Sequence, residues 1–158
     1  MNDIAALLTA ARRVVVVPGY GVAVAQAQRA LAHLADTLRR RDVDVVFALH
    51  PVAGRLPGHL NVLLDGAGVA WSDLRDLDSA EFDGVDVALV VGANDVVNPR
   101  LGAPVFDVGR AAAVVMLTDA SGAGYAGIEN PLFATATVVC GDALELLREA
   151  EEAIARIP

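Results

Sequence analysis

The sequence predicts a doubly wound α/β domain: a mostly parallel, six-stranded sheet with helices on both faces. Three observations carry this expectation. Strand-length runs such as "VVVV" at 14–17 and "VALVV" at 87–91 are apolar throughout, as strands covered on both faces are. They alternate with stretches of helical period, or with connections long enough for a crossover between parallel strands. The composition is 55% hydrophobic but only 4% aromatic, with 14 glycines and seven prolines, a usage that suits strands and helices joined by tight turns.

With 158 residues the chain has the length of one domain, 1–158, able to bury a real core. A formal charge of -8 with no basic cluster argues against nucleic acid or an anionic membrane surface as partner. Cys140 is the only cysteine, which excludes an intrachain disulfide and a Cys-rich metal site. It is expected to be a buried, inert thiol in a reduced compartment. The start, "MNDIAALLTAARR", carries Asp3 early and arginines late, the reverse of a secretory signal. No apolar stretch reaches the roughly 20 residues of a membrane helix. The expectation is a cytoplasmic domain without direct membrane insertion, brought to the cytoplasmic face of a membrane only through a partner.

Taken in order, a short amphipathic helix is predicted over 3–12, with Asn2 or Asp3 as cap and Ile4, Leu7, Leu8 and Ala11 on one face. "RRVVVVPGYG" gives a buried strand at 14–17, broken by Pro18 and two glycines. Val24, Ala27, Leu31, Leu34 and Leu38 recur at spacings of three and four and predict one helix over 22–41. "DVDVVFALH" is the next strand, followed by the irregular "HPVAGRLPGH" and a short helix near 61–65. The acidic, weakly patterned 73–86 reads as a surface connection. "VDVALVVGAND" is a fully buried strand, and "APVFDV", "AAVVMLT" and "ATVVCG" are three more strand candidates. A last helix, 143–157, buries Leu147, Ala150, Ile154 and Ile157. No internal repeat, low-complexity segment or interdomain linker interrupts this Rossmann-like series.

In such sheets ligands gather at the carboxyl ends of the strands, around the switch in strand order. "GYGVAV" follows the first strand and places Gly19 and Gly21 where backbone can turn sharply and approach a pyrophosphate, with Val24 at the helix-contact position. A tight turn with no ligand is the plainer reading of the same residues. The acid that ordinarily ends the second strand and binds a ribose is replaced by His50, followed by Pro51 and Arg55. The Arg55 guanidinium suits a phosphate clamp, or is an exposed loop arginine. His50 and His59 lack a third ligand in recognisable spacing, so no metal site is expected, and His33 is a helix residue at or near the surface. Asp95 in "GANDVVNP" would stand at the top of the sheet, either in a proton-linked role near a cofactor or as the cap of the next turn.

Four motifs in fixed order, "VVVVPGYGVAVAQAQ", "HPVAGRLPGHLNVLL", "GANDVVNP" and "GAGYAGIENPLF", with "CGDA" after them, resemble the NADP(H)-binding domain III of proton-translocating nicotinamide nucleotide transhydrogenase. This is the C-terminal part of the beta subunit, and the resemblance covers nearly the whole chain. It implies a Rossmann-like fold holding NADP(H) in a flipped orientation and passing a hydride directly to or from NAD(H) on a partner, domain I. The flip removes the need for an acid at His50. By the same resemblance the nucleotide would be lined by Gly19, Tyr20 and Gly21; by Val52, Ala53, Gly54, Arg55, Leu56 and Pro57; and by Gly92, Ala93, Asn94, Asp95 and Val96. It would also meet Thr118, Asp119, Ser121, Gly122, Gly124 and Tyr125, then Asp142 and Ala143. Asp95, His50 and Arg55 take the positions associated with coupling nucleotide state to proton translocation. No side chain acts as nucleophile or general base, since the two nicotinamides exchange the hydride and the protein supplies alignment and electrostatics. The complete enzyme includes a transmembrane domain, which would lie on another chain or in a longer parent protein, unless this chain is a free-standing relative that cannot pump protons.

Two departures from the family pattern stand out. Where the family has a Lys-Arg pair to grip the adenosine 2'-phosphate, this chain has Thr118 and Asp119. A 2'-phosphate carries about two negative charges, so a carboxylate about 5 Å away costs on the order of several kcal/mol at an effective dielectric of about 20. A carboxylate can instead accept hydrogen bonds from ribose hydroxyls, which brings NAD(H) in as a cofactor beside NADP(H). The loop after "GANDVVNP" is also shorter than the family's. The leading reading is a hydride-transfer component active only with a partner nucleotide-binding domain. The alternatives are a non-catalytic dinucleotide-binding module for regulation or assembly, with NAD(H) as a candidate ligand, and a site without nucleotide affinity.

Overall fold

The computed structural model describes residues 1–51, 58–76, 81–101, 105–119 and 128–158. Helix α1 (Asn2–Ala10) leads into β1 (Arg13–Pro18), and α2 (Tyr20–Val24) and α3 (Gln28–Arg40) connect it to β2 (Asp44–Ala48). Next come α4 (His59–Gly66), a 3-10 turn at Trp71–Asp73 and β3 (Leu74–Arg75). The second half runs β4 (Val87–Val91), β5 (Ala113–Thr118), the single-turn α5 (Leu132–Thr135), β6 (Thr137–Cys140) and α6 (Ala143–Ala155). The strands make one sheet in the order β3-β2-β1-β4-β5-β6, and every pairing is parallel. The predicted doubly wound, Rossmann-like α/β class is therefore the observed one. Strand order reverses between β1 and β4, and the right-handed crossover rule sends the connections of the two halves to opposite faces. Every residue of β4, and all of β1 after Arg13, is buried, which is why those runs show no polar alternation.

Three helices end in the same way, and this ending explains a break that periodicity hides. After α2 the Ala27 N–H donates to the Val22 carbonyl (2.9 Å) and the Gln26 N–H to Ala23 (3.2 Å), with Gln26 at φ 51°. After α3, Val43 donates to Leu38 (3.1 Å) and Asp42 to Arg39 (3.0 Å), with Asp42 at φ 65°. Gly68, at φ 96°, does the same beyond α4, where Val69 donates to Leu64 (3.0 Å). This is the Schellman closure, and its apolar contact is present each time: Val22 with Ala27, Leu38 with Val43 and Leu64 with Val69 are all buried. A left-handed glutamine or aspartate costs roughly 1–2 kcal/mol. Full burial of Leu31 and Leu38 on α3 contributes roughly 1.5–3 kcal/mol each, so core packing outweighs the local strain. The single helix expected over 22–41 is thus two helices, α2 and α3, with the turn at 25–27 between them.

Other expectations are corrected. "APVFDV" is not a strand over its described part: 105–107 is irregular and Val108–Arg110 is a 3-10 turn. Both edges of β4 are already paired, with β1 and β5, and both edges of β5 with β4 and β6, so neither of its flanking strands offers it an open edge. Its Phe106 is instead plugged into the core, 3% exposed and edge-on to Phe82 at 5.9 Å. The sixth strand comes from the stretch read as a surface connection, where Leu74 and Arg75 pair with Phe47 and Ala48 at the sheet's edge. Two residues are too few to show a pattern. Cys140 is exposed, not buried, because it ends the other edge strand. The first helix starts a residue earlier than expected and takes no side-chain cap, its Ala5 N–H donating to the Met1 carbonyl (3.0 Å).

At the amino edge of the sheet, Asp86 Oδ2 accepts from the N–H groups of Arg12 (2.8 Å) and Arg13 (3.0 Å), fastening the start of β4 to that of β1. These two backbone bonds, Arg13's first, hold the Asp86 carboxyl below its ordinary range. A depressed folded-state value makes its contribution present above the unfolded carboxyl range near pH 4 and lost as pH falls through the lower folded value. Asp86→Ala should therefore unfold at lower urea than the parent at pH 7, with the difference shrinking as pH falls below about 4. Gln26→Gly should raise stability by up to about 1 kcal/mol in the same titration, by relieving the left-handed position.

Candidate functional site at the carboxyl edge of the sheet

Because all strands run the same way, every strand exit falls on one edge, and the register shows how closely they align. Pro18 lies opposite Val91, Val91 opposite Leu117, and Thr118 opposite Cys140. The chain therefore leaves the sheet by this same edge at Gly19, His50, Gly92, Asp119 and Gly141. Val52, Ala53, Gly54, Arg55, Leu56 and Pro57, and likewise Ser121, Gly122, Gly124 and Tyr125, lie outside the described residues.

At the reversal of strand order the first and fourth loops are fitted against each other. The Gly19 N–H donates to the Val91 carbonyl (2.9 Å), Gly21 to Gly92 (2.9 Å), and Gly92 to Leu117 (2.8 Å), so the ladder continues past the strands. A Cβ on Gly19 would lie 2.5 Å from Ala93 Cα; one on Gly21 would lie 2.7 Å from Gly92 Cα; one on Gly92 would lie 2.8 Å from the Val22 nitrogen. Gly92 is also left-handed, at φ 61°. The space these glycines leave is thus filled by backbone of the facing loop, which presses three strand exits together. Gly19→Ala would drive a methyl group into the same contact.

Around this centre, Tyr20 is half-buried and lines an open groove of about 360 Å³ with Ala23, Val24, Gln26, Gln28, His59 and Leu63, between α2 and α4. His50 stands edge-on to Phe106 at 5.7 Å, and the Phe106 N–H donates to the Val96 carbonyl (2.8 Å). Phe106 thereby bridges the second strand's exit to the 3-10 turn Asp95–Val97, bringing His50 and the Asp95 segment to one side of the site. Ala93, Val96 and Ala143 are buried, so they offer backbone rather than side chain. Thr118 is only 3% exposed, while Asp119 beside it is exposed. Asp142 is exposed and caps α6, its Oδ2 accepting from the Glu145 N–H at 3.2 Å.

Sequence reasoning missed Phe106, taken for strand, and two asparagines. Asn98 and Asn130 are 0% and 1% exposed. Asn130 Nδ2 donates to the Asn94 carbonyl (3.1 Å) and to Asn94 Oδ1 (3.2 Å); Asn98 Nδ2 donates to the Ile128 carbonyl (3.1 Å). The available signal was that both precede proline, a pairing that marks turns. Asn94 Nδ2 is itself buried and has no hydrogen-bond partner among the described residues. An orphaned donor of this kind costs about 1–3 kcal/mol until an acceptor meets it.

A parallel sheet in this order, with glycine loops gathered at its switch point, defines a Rossmann-like α/β domain. Solved structures share the fold. A thiamin diphosphate-dependent 4-hydroxybenzoylformate decarboxylase of Rhodococcus jostii RHA1 matches 97% of this chain with 26% of its own, at TM-score 0.60 and 20% identity. A benzoylformate decarboxylase of Polynucleobacter necessarius matches the same shares at TM-score 0.55 and 18% identity. At such identity the likeness concerns the fold alone. The sequence is more specific: the chain belongs to the NAD(P) transhydrogenase beta subunit family, whose model matches residues 1–153. The NAD(P) transhydrogenase subunit beta of Rhodospirillum rubrum is 42% identical over 166 aligned positions. That alignment takes in 97% of this chain and 36% of the relative, so the chain spans about a third of its relative's length. Among the described residues no helix is long and apolar enough to cross a membrane.

Gly21→Ala should destabilise by about 1–3 kcal/mol in urea unfolding, as overpacking does. Gly66→Ala at the end of α4, where an added Cβ meets nothing, should instead stabilise by roughly 0.4–1 kcal/mol.

Proposed function

We propose that this chain is a domain III-like unit of a transhydrogenase beta subunit, a single domain that binds a nicotinamide dinucleotide across the carboxyl edge of its sheet. The observation that carries the reading is the close fit of Gly19, Gly21 and Gly92 at the strand-order switch, the place where such sheets take dinucleotides. Two features fit an oxygen-rich ligand: the buried, unpartnered Asn94 amide, and the gathering there of the strand exits. When bound, the nicotinamide would supply or accept the hydride, exchanging it with NAD(H) on a domain I-like partner. This chain's own residues orient and desolvate. Gly19, Tyr20, Gly21, Gly92, Ala93, Asn94 and Val96 would form one wall, with Asp142 and Ala143 at the far strand exit. The described members of the coupling set, His50 and Asp95, stand on either side of Phe106. A transmembrane portion would come from another chain or a longer parent, placing this domain at the cytoplasmic face.

Exposed Asp119 favours a second reading, an NAD(H)-preferring module that binds without catalysing. The two positions of the replaced Lys-Arg pair differ in the fold: Thr118 is enclosed, so a lysine there would need room the site lacks, whereas Asp119 is free to meet a ribose or repel a phosphate. Calorimetric titration with NADPH and NADH tests both readings. We expect NADH to bind at least as tightly as NADPH, and Asp119→Arg to shift the ratio toward NADPH by tenfold or more. Tight NADPH binding by the unaltered chain would refute the role given to Asp119, and binding of neither would refute the function. Hydride transfer is then read by mixing with a domain I-like partner and following NADH oxidation.

A further inference from the structure

We propose that Asn130 and Asn98 are positioning residues: crossed braces that hold the Asp95–Val97 turn against the chain returning from the glycine-rich segment, and on which dinucleotide recognition depends. The inference rests on the reading of the site given above.

Each asparagine does two things at once. Its Oδ1 closes its own turn, accepting from the N–H two residues on: Arg100 for Asn98 and Leu132 for Asn130, both at 3.0 Å. Its Nδ2 then crosses to the other segment, from Asn98 to the Ile128 carbonyl and from Asn130 to the Asn94 carbonyl and side chain. The partners are 30 and 36 residues apart in sequence. Among the described residues no backbone–backbone hydrogen bond joins 93–101 to 128–131, and these amides link the two segments.

Their chemistry suits this purpose better than simple packing. An apolar residue of similar volume would fill the same space without desolvating an amide. What the amide adds is direction, fixing one backbone against another. The Asn94 carbonyl that receives Asn130 also accepts from the Val97 N–H (3.2 Å), and the Asn98 N–H donates to the Asp95 carbonyl (3.1 Å). The brace therefore acts directly on the turn that carries Asp95, and on Asn94 with its unpartnered Nδ2. Asn130 pins the returning chain at 128–131 to this turn. A ligand that meets both loops would find their spacing already set, which lowers the ordering cost of binding.

The test compares the full chain with Asn130→Asp, in which an ionised carboxylate presents only acceptors to the Asn94 oxygens, and with Asn130→Ser. The serine hydroxyl can still close the turn to Leu132 but is too short to reach Asn94. Affinity for NADPH and NADH is measured by calorimetry, folded fraction by thermal unfolding, and protection of the Val97 and Asn98 amides by hydrogen exchange. We expect at least tenfold weaker binding in each variant after correction for folded fraction, together with faster exchange at those two amides. A residue that only holds the fold would lower the unfolding temperature and leave corrected affinity unchanged. Unaltered chain that binds while Asn130→Ser binds as tightly overturns the inference alone. Failure of the unaltered chain to bind either nucleotide overturns the functional reading on which it rests. Should Asn130→Asp fail to fold, Asn130→Ser decides between these outcomes.

Discussion

Contact between two backbones, with no side chain between them, governs this structure. Gly19 and Gly21 press on Gly92 and Ala93 so closely that a single Cβ on any of the three glycines would overlap main-chain atoms of the other loop. Three hydrogen bonds, from Gly19 to Val91, Gly21 to Gly92 and Gly92 to Leu117, then carry the sheet's ladder beyond its strands. The position is the one where strand order reverses, so the loops leaving β1 and β4 diverge immediately afterwards. The strand exits of the candidate site are arranged around this point.

The two edges of the sheet divide the work. At the amino edge charged groups act as fasteners: Asp86 on the Arg12 and Arg13 amides, and Arg13 on Asp44 at 2.8 Å. The latter pair is half-exposed and contributes little by itself. Helix packing supplies the rest. Arg41, just past α3, donates to the Ile154 and Ile157 carbonyls at 2.9 and 2.7 Å, so one helix's end closes another's. The carboxyl edge instead holds the enclosed polar groups, beside exposed Asp119 and Asp142. Asn94, Asn98, Thr118 and Asn130 are the buried polar residues among those described, and all four lie there. Enclosed amides with directional partners give a stiff frame, at the cost of desolvating them.

How far the sequence revealed this depends on where each signal resides. β1, β4 and β5 are legible because burial on both faces removes all polar alternation, and the buried stripe of α6 is legible because helical period is local. Gln26 was not legible as a helix stop, since nothing in its own chemistry announces a left-handed conformation; the apolar contact of Val22 with Ala27 imposes it. "APVFDV" has the composition of a strand, yet its described part, 105–108, pairs with none, since β4 and β5 are already paired on both edges. Leu74 and Arg75 have no strand signal and become one by lying beside Phe47 and Ala48. Of the site, Gly19, Gly21, Gly92 and Asp142 could be placed from loop position after a strand. Asn98 and Asn130 could not, because their partners lie 30 and 36 residues away.

By itself, then, the sequence determined the fold class, the positions of most elements, the edge on which the loops collect and the family, since these follow from local periodicity, burial and motif order. Tertiary structure alone decided which runs found a ladder, where the long helix broke, and that Thr118 is enclosed while Asp119 is open. It also decided that two Asn-Pro turns brace one another. Each of these depends on what another part of the chain leaves free to pair or to fill, and no window of sequence contains that information.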